Sequence, residues 1–214
     1  MSHLNEAIAE IVYNGKYREI TPLVQQGLDD GLAAQEILEA GLIAGMNRVG
    51  RDFRDGVRFI PEVMASAKTM NTALETLRPL LAAGGASAGG KIVIGTVKGD
   101  IHDVGKKLVG IMLSGAGFEV VDLGTDVTPQ GFVEAVQVEQ PDLIGLSALL
   151  TTTMPQMAAT IEALVASGVR DTVKVLVGGA PVTEAYAEEI GADAYAPDAT
   201  AAVHKARFLL GLAA

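Results

Sequence analysis

Lys91-Ile-Val-Ile-Gly-Thr-Val97, followed directly by Lys98-Gly-Asp-Ile-His-Asp-Val-Gly105, is the stretch whose reading decides the fold. The first part is rich in Ile and Val and reads as a buried parallel strand over Ile92–Val97. From Asp103 onward, Val104, Leu108, Ile111 and Met112 recur at helical spacing. Asp100 and His102 therefore stand in a strand-to-helix loop at the carboxyl end of a strand, where open α/β sheets bind ligands. Of the three histidines, His3 lies near the N-terminus and His204 in a C-terminal helical stretch; His102 alone is flanked by glycines and acids. An isolated loop histidine is ordinarily a polar surface residue. A carboxylate two residues earlier adds a second reading, because a carboxylate orients and strengthens a metal-binding imidazole.

Downstream of this stretch the pattern alternates. Strands are expected at Ile92–Val97, Glu119–Leu123, Leu143–Ser147, Lys174–Val177 and Ala192–Tyr195. Helices are expected at Val104–Ser114, Pro129–Gln140, Pro155–Ser167, Thr183–Ile190 and Ala199–Leu212. Five strands alternating with five helices predict an α/β domain with a flavodoxin-like (Rossmann-type) five-stranded parallel sheet flanked by helices.

Upstream, residues 3–83 are helical almost throughout. Leu4, Ala7, Ile8, Ile11 and Val12 form one apolar stripe, closed by Asn14-Gly15. Ile20, Leu23, Val24 and Leu28 form a second, with Thr21-Pro22 as cap and first helical position. A third runs from Ile37 towards Phe53, and a fourth from Val63 to Leu81. Four helices with short joints predict an N-terminal four-helix bundle cap. Gly84-Gly-Ala-Ser-Ala-Gly-Gly90 has the composition of a flexible linker. The expected domains are thus 1–90, a helical cap with the Gly-rich linker 84–90, and 91–214, the sheet domain.

Composition narrows the function classes. The 214-residue chain is 49% hydrophobic but only 4% aromatic, so the core is aliphatic. It contains no cysteine, which excludes a disulfide framework, a thiolate metal site and a cysteine nucleophile, and fits a reducing compartment. A formal charge of −10 argues against nucleic acid and against an anionic membrane surface as partners. No apolar run reaches the roughly 18 residues of a membrane-spanning helix, and the N-terminus lacks a basic and then apolar leader. The expectation is a soluble, acidic, cytoplasmic protein.

Several familiar sites fail on inspection. Five residues separate Gly99 from Gly105-Lys106, and Lys107 stands where a phosphate loop needs Ser or Thr. Gly-x-Gly-x-x-Gly is absent from the first strand-to-helix turn. Ser147 occupies the end of the third strand, where a receiver domain carries its phosphoacceptor aspartate. Instead the other strand ends carry small or hydroxylic residues: Ser147-Ala-Leu-Leu-Thr-Thr-Thr153 after the third and Gly178-Gly179-Ala-Pro after the fourth. Taken singly these are a helix cap and a turn. Together they line the same edge as His102, in a trough wide enough for a long, bulky ligand tail.

Asp100-x-His102-x-x-Gly105, then Ser147-x-Leu149 beginning 45 residues after the histidine, then Gly178-Gly179, resembles the cobalamin-binding signature. Gly45-Met-Asn-Arg-Val-Gly50, Phe53 and Phe59-Ile-Pro-Glu-Val-Met64 resemble the helical cap of methyl-transferring corrinoid proteins. The resemblance covers nearly the whole chain. It points to the small corrinoid proteins of methanol, methylamine, glycine betaine and O-demethylase (aryl-ether) methyltransferase systems, and to the cobalamin module of methionine synthase.

This resemblance implies a cobalamin or related corrinoid bound base-off/His-on, with His102 as the lower axial ligand to cobalt and Asp100 accepting from the other imidazole nitrogen. A hydroxyl of the Thr run would extend that relay, Thr153 first and Thr151 second; methionine synthase has Ser there. Gly99, Ile101, Asp103, Val104 and Gly105 would complete the loop beneath the corrin. Ser147 and Leu149 would line the slot for the nucleotide tail, and Gly178-Gly179 would let it pass close to backbone. The function implied is a methyl carrier without catalytic residues of its own. It would accept a methyl group on cob(I)alamin from a substrate-specific TIM-barrel methyltransferase and deliver it from methylcob(III)alamin to a second methyltransferase acting on a tetrahydrofolate-type or thiol acceptor. A reductive activation protein would serve the cofactor. Phe59 and Met64 would cover the methylated face, unless they are ordinary helix core. Three other readings stay open: the cobalamin subunit of an adenosylcobalamin-dependent mutase, a cobalamin-responsive regulator, and a flavodoxin-like binding module without metal. The regulator would need a basic DNA-binding module, whereas residues 1–90 carry 8 basic and 11 acidic side chains.

Overall fold

The computed structural model describes residues 3–83 and 89–212. Contacts divide the chain into two units, Met1–Gly89 with Ile111–Phe118, and Gly90–Gly110 with Glu119–Ala214. Most of the linker at 84–90 lies outside the described residues.

The helical unit begins with α1 (His3–Tyr13) and α2 (Tyr17–Asp29). Next, α3 (Ala34–Glu36) runs without a break through a π-helical stretch, Ile37–Ile43, into α4 (Ala44–Arg54), and α5 (Ile60–Ala83) closes the unit. These make the four expected helical stretches, and their apolar stripes supply the interior: Ile8, Val24, Leu42, Val49, Met70 and Leu74 are all buried. Pro22 does not open its helix. It lies in the second turn of α2, where its ring removes the bond that Arg18's carbonyl would accept. Burial of Ile20 and Val24 on either side holds the helix across that gap. Phe59 and Met64 are exposed, with Val57 and Ile60 beside them, so the helix-core reading of these two residues does not hold.

The second unit carries β1 (Lys91–Thr96), β2 (Glu119–Asp122), β3 (Leu143–Ser147), β4 (Lys174–Gly178) and β5 (Ala194–Ala196). They form one parallel sheet in the order β2-β1-β3-β4-β5. Helices α6 (Val104–Gly115), α7 (Pro129–Glu139), α8 (Pro155–Ala166), α9 (Glu184–Glu189) and α10 (Ala199–Leu209) alternate with the strands. Strand β5 starts two residues later than the sequence suggests, because Asp193 stitches the segment to its neighbour. Its carboxylate accepts from the Val175 N–H at 2.7 Å and its own N–H donates to the Val175 carbonyl at 2.8 Å.

Two features of this unit place the site. In the order β2-β1-β3 the direction in which successive strands are added reverses at β1, which makes the gap between β1 and β3 the switch point at which doubly wound sheets bind ligands. The register then sets Thr96 opposite Ser147, and Ser147 opposite Gly178, so three strand-end loops emerge side by side. Beneath them, Val93, Phe132, Ile144, Leu146, Met157 and Val175 share one buried cluster. Gly95 leaves room for the Phe132 ring, two of whose carbons would lie 2.7 and 2.8 Å from a Cβ at that position.

Phe132→Ala is expected to lower the unfolding free energy by about 3–5 kcal/mol in urea denaturation, since the fully buried ring leaves a cavity under the sheet. A loss below about 1 kcal/mol would contradict this packing.

Candidate cofactor site

The loop between β1 and α6 is built around a buried carboxylate. Asp100 has no solvent exposure, and each of its oxygens accepts from more than one donor. Oδ1 accepts from the His102 backbone N–H at 3.0 Å and from His102 Nδ1 at 2.7 Å. Oδ2 accepts from the Leu149 N–H at 2.8 Å and the Leu150 N–H at 3.3 Å. It also lies 2.7 Å from the Thr153 hydroxyl, which is 2.9 Å from the Leu150 carbonyl. A hydroxyl has one proton, and the charged acceptor takes it. Burial alone would push the Asp100 carboxyl up, but these hydrogen bonds, led by Leu149 and His102, outweigh it and hold the group well below the usual carboxylate range.

An ionised Asp100 fixes the histidine. With Nδ1–H donating to the carboxylate, the lone pair belongs on Nε2, and the His102 side chain is 47% exposed. Thr96, fully buried at the end of β1, donates its hydroxyl to the His102 carbonyl at 2.9 Å. The imidazole is therefore held from two sides with its free nitrogen available. Ile101 and Val104 beside it are 77% and 74% exposed, and Leu149 and Leu150 are 42% exposed each. Four exposed aliphatic side chains in the same two loops as one oriented imidazole suit a large, largely apolar ligand that carries its own metal.

Other residues singled out in the sequence fall into place around this pair. Ser147 closes β3. Thr153 reaches Asp100 while Thr151 is exposed on the turn before α8. Asp103 precedes α6, pairs with Lys107 and accepts the Lys107 N–H on its carbonyl at 2.8 Å. Gly99 has φ +79° and Gly179 φ +135°. Gly179 has a reason inside the fold, because a Cβ there would lie 1.8 Å from the Ala148 carbonyl oxygen. Gly105 has none, since a Cβ there would meet nothing within 4 Å. Openness at the first turn of α6, next to the imidazole, is what a closely approaching ligand requires. Sequence reasoning missed Thr96, and it missed the buried Lys106, which pairs with Asp122 at the end of β2.

Among the described residues no group of three or more His, Asp or Glu side chains could hold a metal ion. A single oriented imidazole fits instead a metal whose other ligands come from a macrocycle, and a corrinoid meets that requirement. Residues 90–204 match the family model described as B12 binding domain, and residues 4–78 match a second model with the same description. Dimethylamine corrinoid protein 1 of Methanosarcina acetivorans is 51% identical over 180 residues, covering 84% of each chain. This chain belongs to the corrinoid protein family.

Another corrinoid protein, from Desulfitobacterium hafniense strain Y51, is 44% identical over 214 residues and covers 99% of both chains. Among solved structures, a cobalamin-binding protein from Desulfitobacterium hafniense DCB-2 superposes with a TM-score of 0.78 at 33% identity, covering 98% of this chain and 99% of that one. The methanol:cobalamin methyltransferase complex of Methanosarcina barkeri gives a TM-score of 0.82 at 28% identity, covering 98% and 80%. No helix among the described residues is long and apolar enough to cross a membrane.

Asp100→Asn tests the carboxylate directly. Both oxygens face donors, so an amide NH2 meets one in either orientation, and the variant is expected to lose about 1–3 kcal/mol of stability near neutral pH. The loss has a defined pH dependence. Asp100 stays ionised in the fold well below its ordinary value of 3.8, so as pH falls through and below that value the unfolded chain binds more protons and acid destabilises the native protein. Asparagine does not titrate, so the gap between wild type and variant should be full above about pH 5 and narrow as pH falls below the ordinary value. Urea denaturation at a series of pH values measures it; a gap independent of pH would contradict an ionised, buried Asp100.

Proposed function

We propose that this corrinoid protein is a methyl carrier, and that His102 holds the cofactor as lower axial ligand with the corrinoid's own base displaced. The observation that carries this reading is the exposed, singly oriented imidazole, tied through Nδ1 to Asp100, in strand-end loops that also expose Ile101, Val104, Leu149 and Leu150. When bound, the corrinoid supplies a cobalt able to accept a methyl group from one partner and release it to another. The protein's own residues do the rest. Asp100 fixes the tautomer and raises the donor strength of His102, Thr153 and the Leu149 N–H keep Asp100 ionised, and Thr96 anchors the loop from below. Ser147 and Leu149 line the path of the displaced nucleotide tail, with Gly178 and Gly179 at the neighbouring strand end.

Activation of the methyl donor is assigned to partners: a substrate-specific barrel methyltransferase, a second methyltransferase with a thiol or tetrahydrofolate-type acceptor, and a reductive activation protein. Relatives named for dimethylamine and trimethylamine support a methylamine as the first donor to test. They lend no support to a mutase subunit or a regulator.

Loaded with hydroxocobalamin and reduced, the protein should retain the corrinoid through gel filtration and leave dimethylamine intact when alone. Adding a dimethylamine methyltransferase should start methylation of the bound cofactor, followed by its absorbance spectrum. Demethylation without a partner, or failure to retain the corrinoid, would overturn the proposal.

A further inference from the structure

The loop that presents His102 is held on one side by Leu149, Leu150 and Thr153. Its other side meets the loop between β2 and α7, and there one residue makes two contacts. Asp126 Oδ1 accepts from the Gly99 N–H at 2.7 Å, and the Asp126 N–H donates to the Asp100 carbonyl at 3.0 Å. The two bonds clasp the Gly99–Asp100 dipeptide at both ends, immediately before the histidine. Asp126 does so from the left-handed region, at φ +55°, where glycine would sit without cost and aspartate is among the few side chains tolerated. Its loop is fixed in turn: the Thr96 N–H donates to the Gly124 carbonyl at 3.0 Å, the Val127 N–H to the Thr96 carbonyl at 2.9 Å, and the Thr128 hydroxyl caps α7.

A solvent-exposed aspartate in a conformation that favours glycine needs a reason, and the bond to Gly99 supplies one. We infer that Asp126 is a positioning residue for His102, holding Gly99–Asp100 so that the imidazole is presented for cobalt ligation. The inference rests on the proposed role of His102. Asp126 touches neither the imidazole nor the Asp100 carboxylate; it acts on the backbone that carries them. Asparagine can keep both the left-handed backbone and an Oδ1 acceptor. Glycine keeps the backbone and loses the acceptor.

The test compares wild type, Asp126→Gly, Asp126→Asn and His102→Ala, each labelled with 15N-histidine, loaded with cob(II)alamin and read by electron paramagnetic resonance, where a 15N doublet marks ligation by histidine and a triplet marks the cofactor's own base. Asp126→Gly should lower the histidine-ligated fraction several-fold, and Asp126→Asn should restore it. In the cofactor-free protein, exchange of the Gly99 amide should speed up about tenfold in Asp126→Gly, as loss of one hydrogen bond predicts, and stay slow in Asp126→Asn. If His102→Ala loses the histidine splitting while Asp126→Gly matches wild type in both readouts, the inference falls and the ligand role of His102 stands. If His102→Ala keeps the splitting, both fall.

Discussion

A carboxylate sealed from water is the interaction on which the rest of the site depends. Asp100 draws its donors from its own loop, from the turn after β3 and from the hydroxyl of Thr153, and its charge is tolerable in the interior only because all of them are present. With the set complete, the anion imposes a single tautomer and orientation on His102. A loop histidine is thereby held in one orientation.

Fold topology is what allows those donors to converge. Because β1 and β3 lie side by side and parallel, the loops leaving their carboxyl ends are neighbours, though Asp100 and Thr153 lie 53 positions apart. The buried aliphatic cluster under the sheet fixes the register that brings Thr96, Ser147 and Gly178 abreast. Function here is grafted onto one edge of a common architecture, and the family is recognised by that edge together with the helical unit before it.

What could be read from the sequence divides along physical lines. Period-two and period-3.6 patterns are local, so five strands, their helices and four helical stretches were legible, as was Asp100-x-His102, whose partners are two residues apart. Thr153 could be suggested but not separated from Thr151, because the turn before α8 decides which hydroxyl reaches the carboxylate. Thr96 and Asp126 gave no local signal: one looks like any strand residue, and the other acts across 27 positions through backbone atoms. Pro22 misled because its usual place at a helix start was overridden by burial of its neighbours. Phe59 and Met64 match a helix-core pattern and are nonetheless exposed, which periodicity alone does not distinguish.

We propose His102, held by Asp100, as the protein's ligand to a corrinoid cobalt. Electron paramagnetic resonance of the cob(II)alamin-loaded protein, prepared once with natural histidine and once with 15N-histidine, tests it most directly. A nitrogen triplet that becomes a doublet on labelling is expected. Splitting that labelling leaves unchanged would assign the lower ligand to the cofactor's own base and contradict that role for His102.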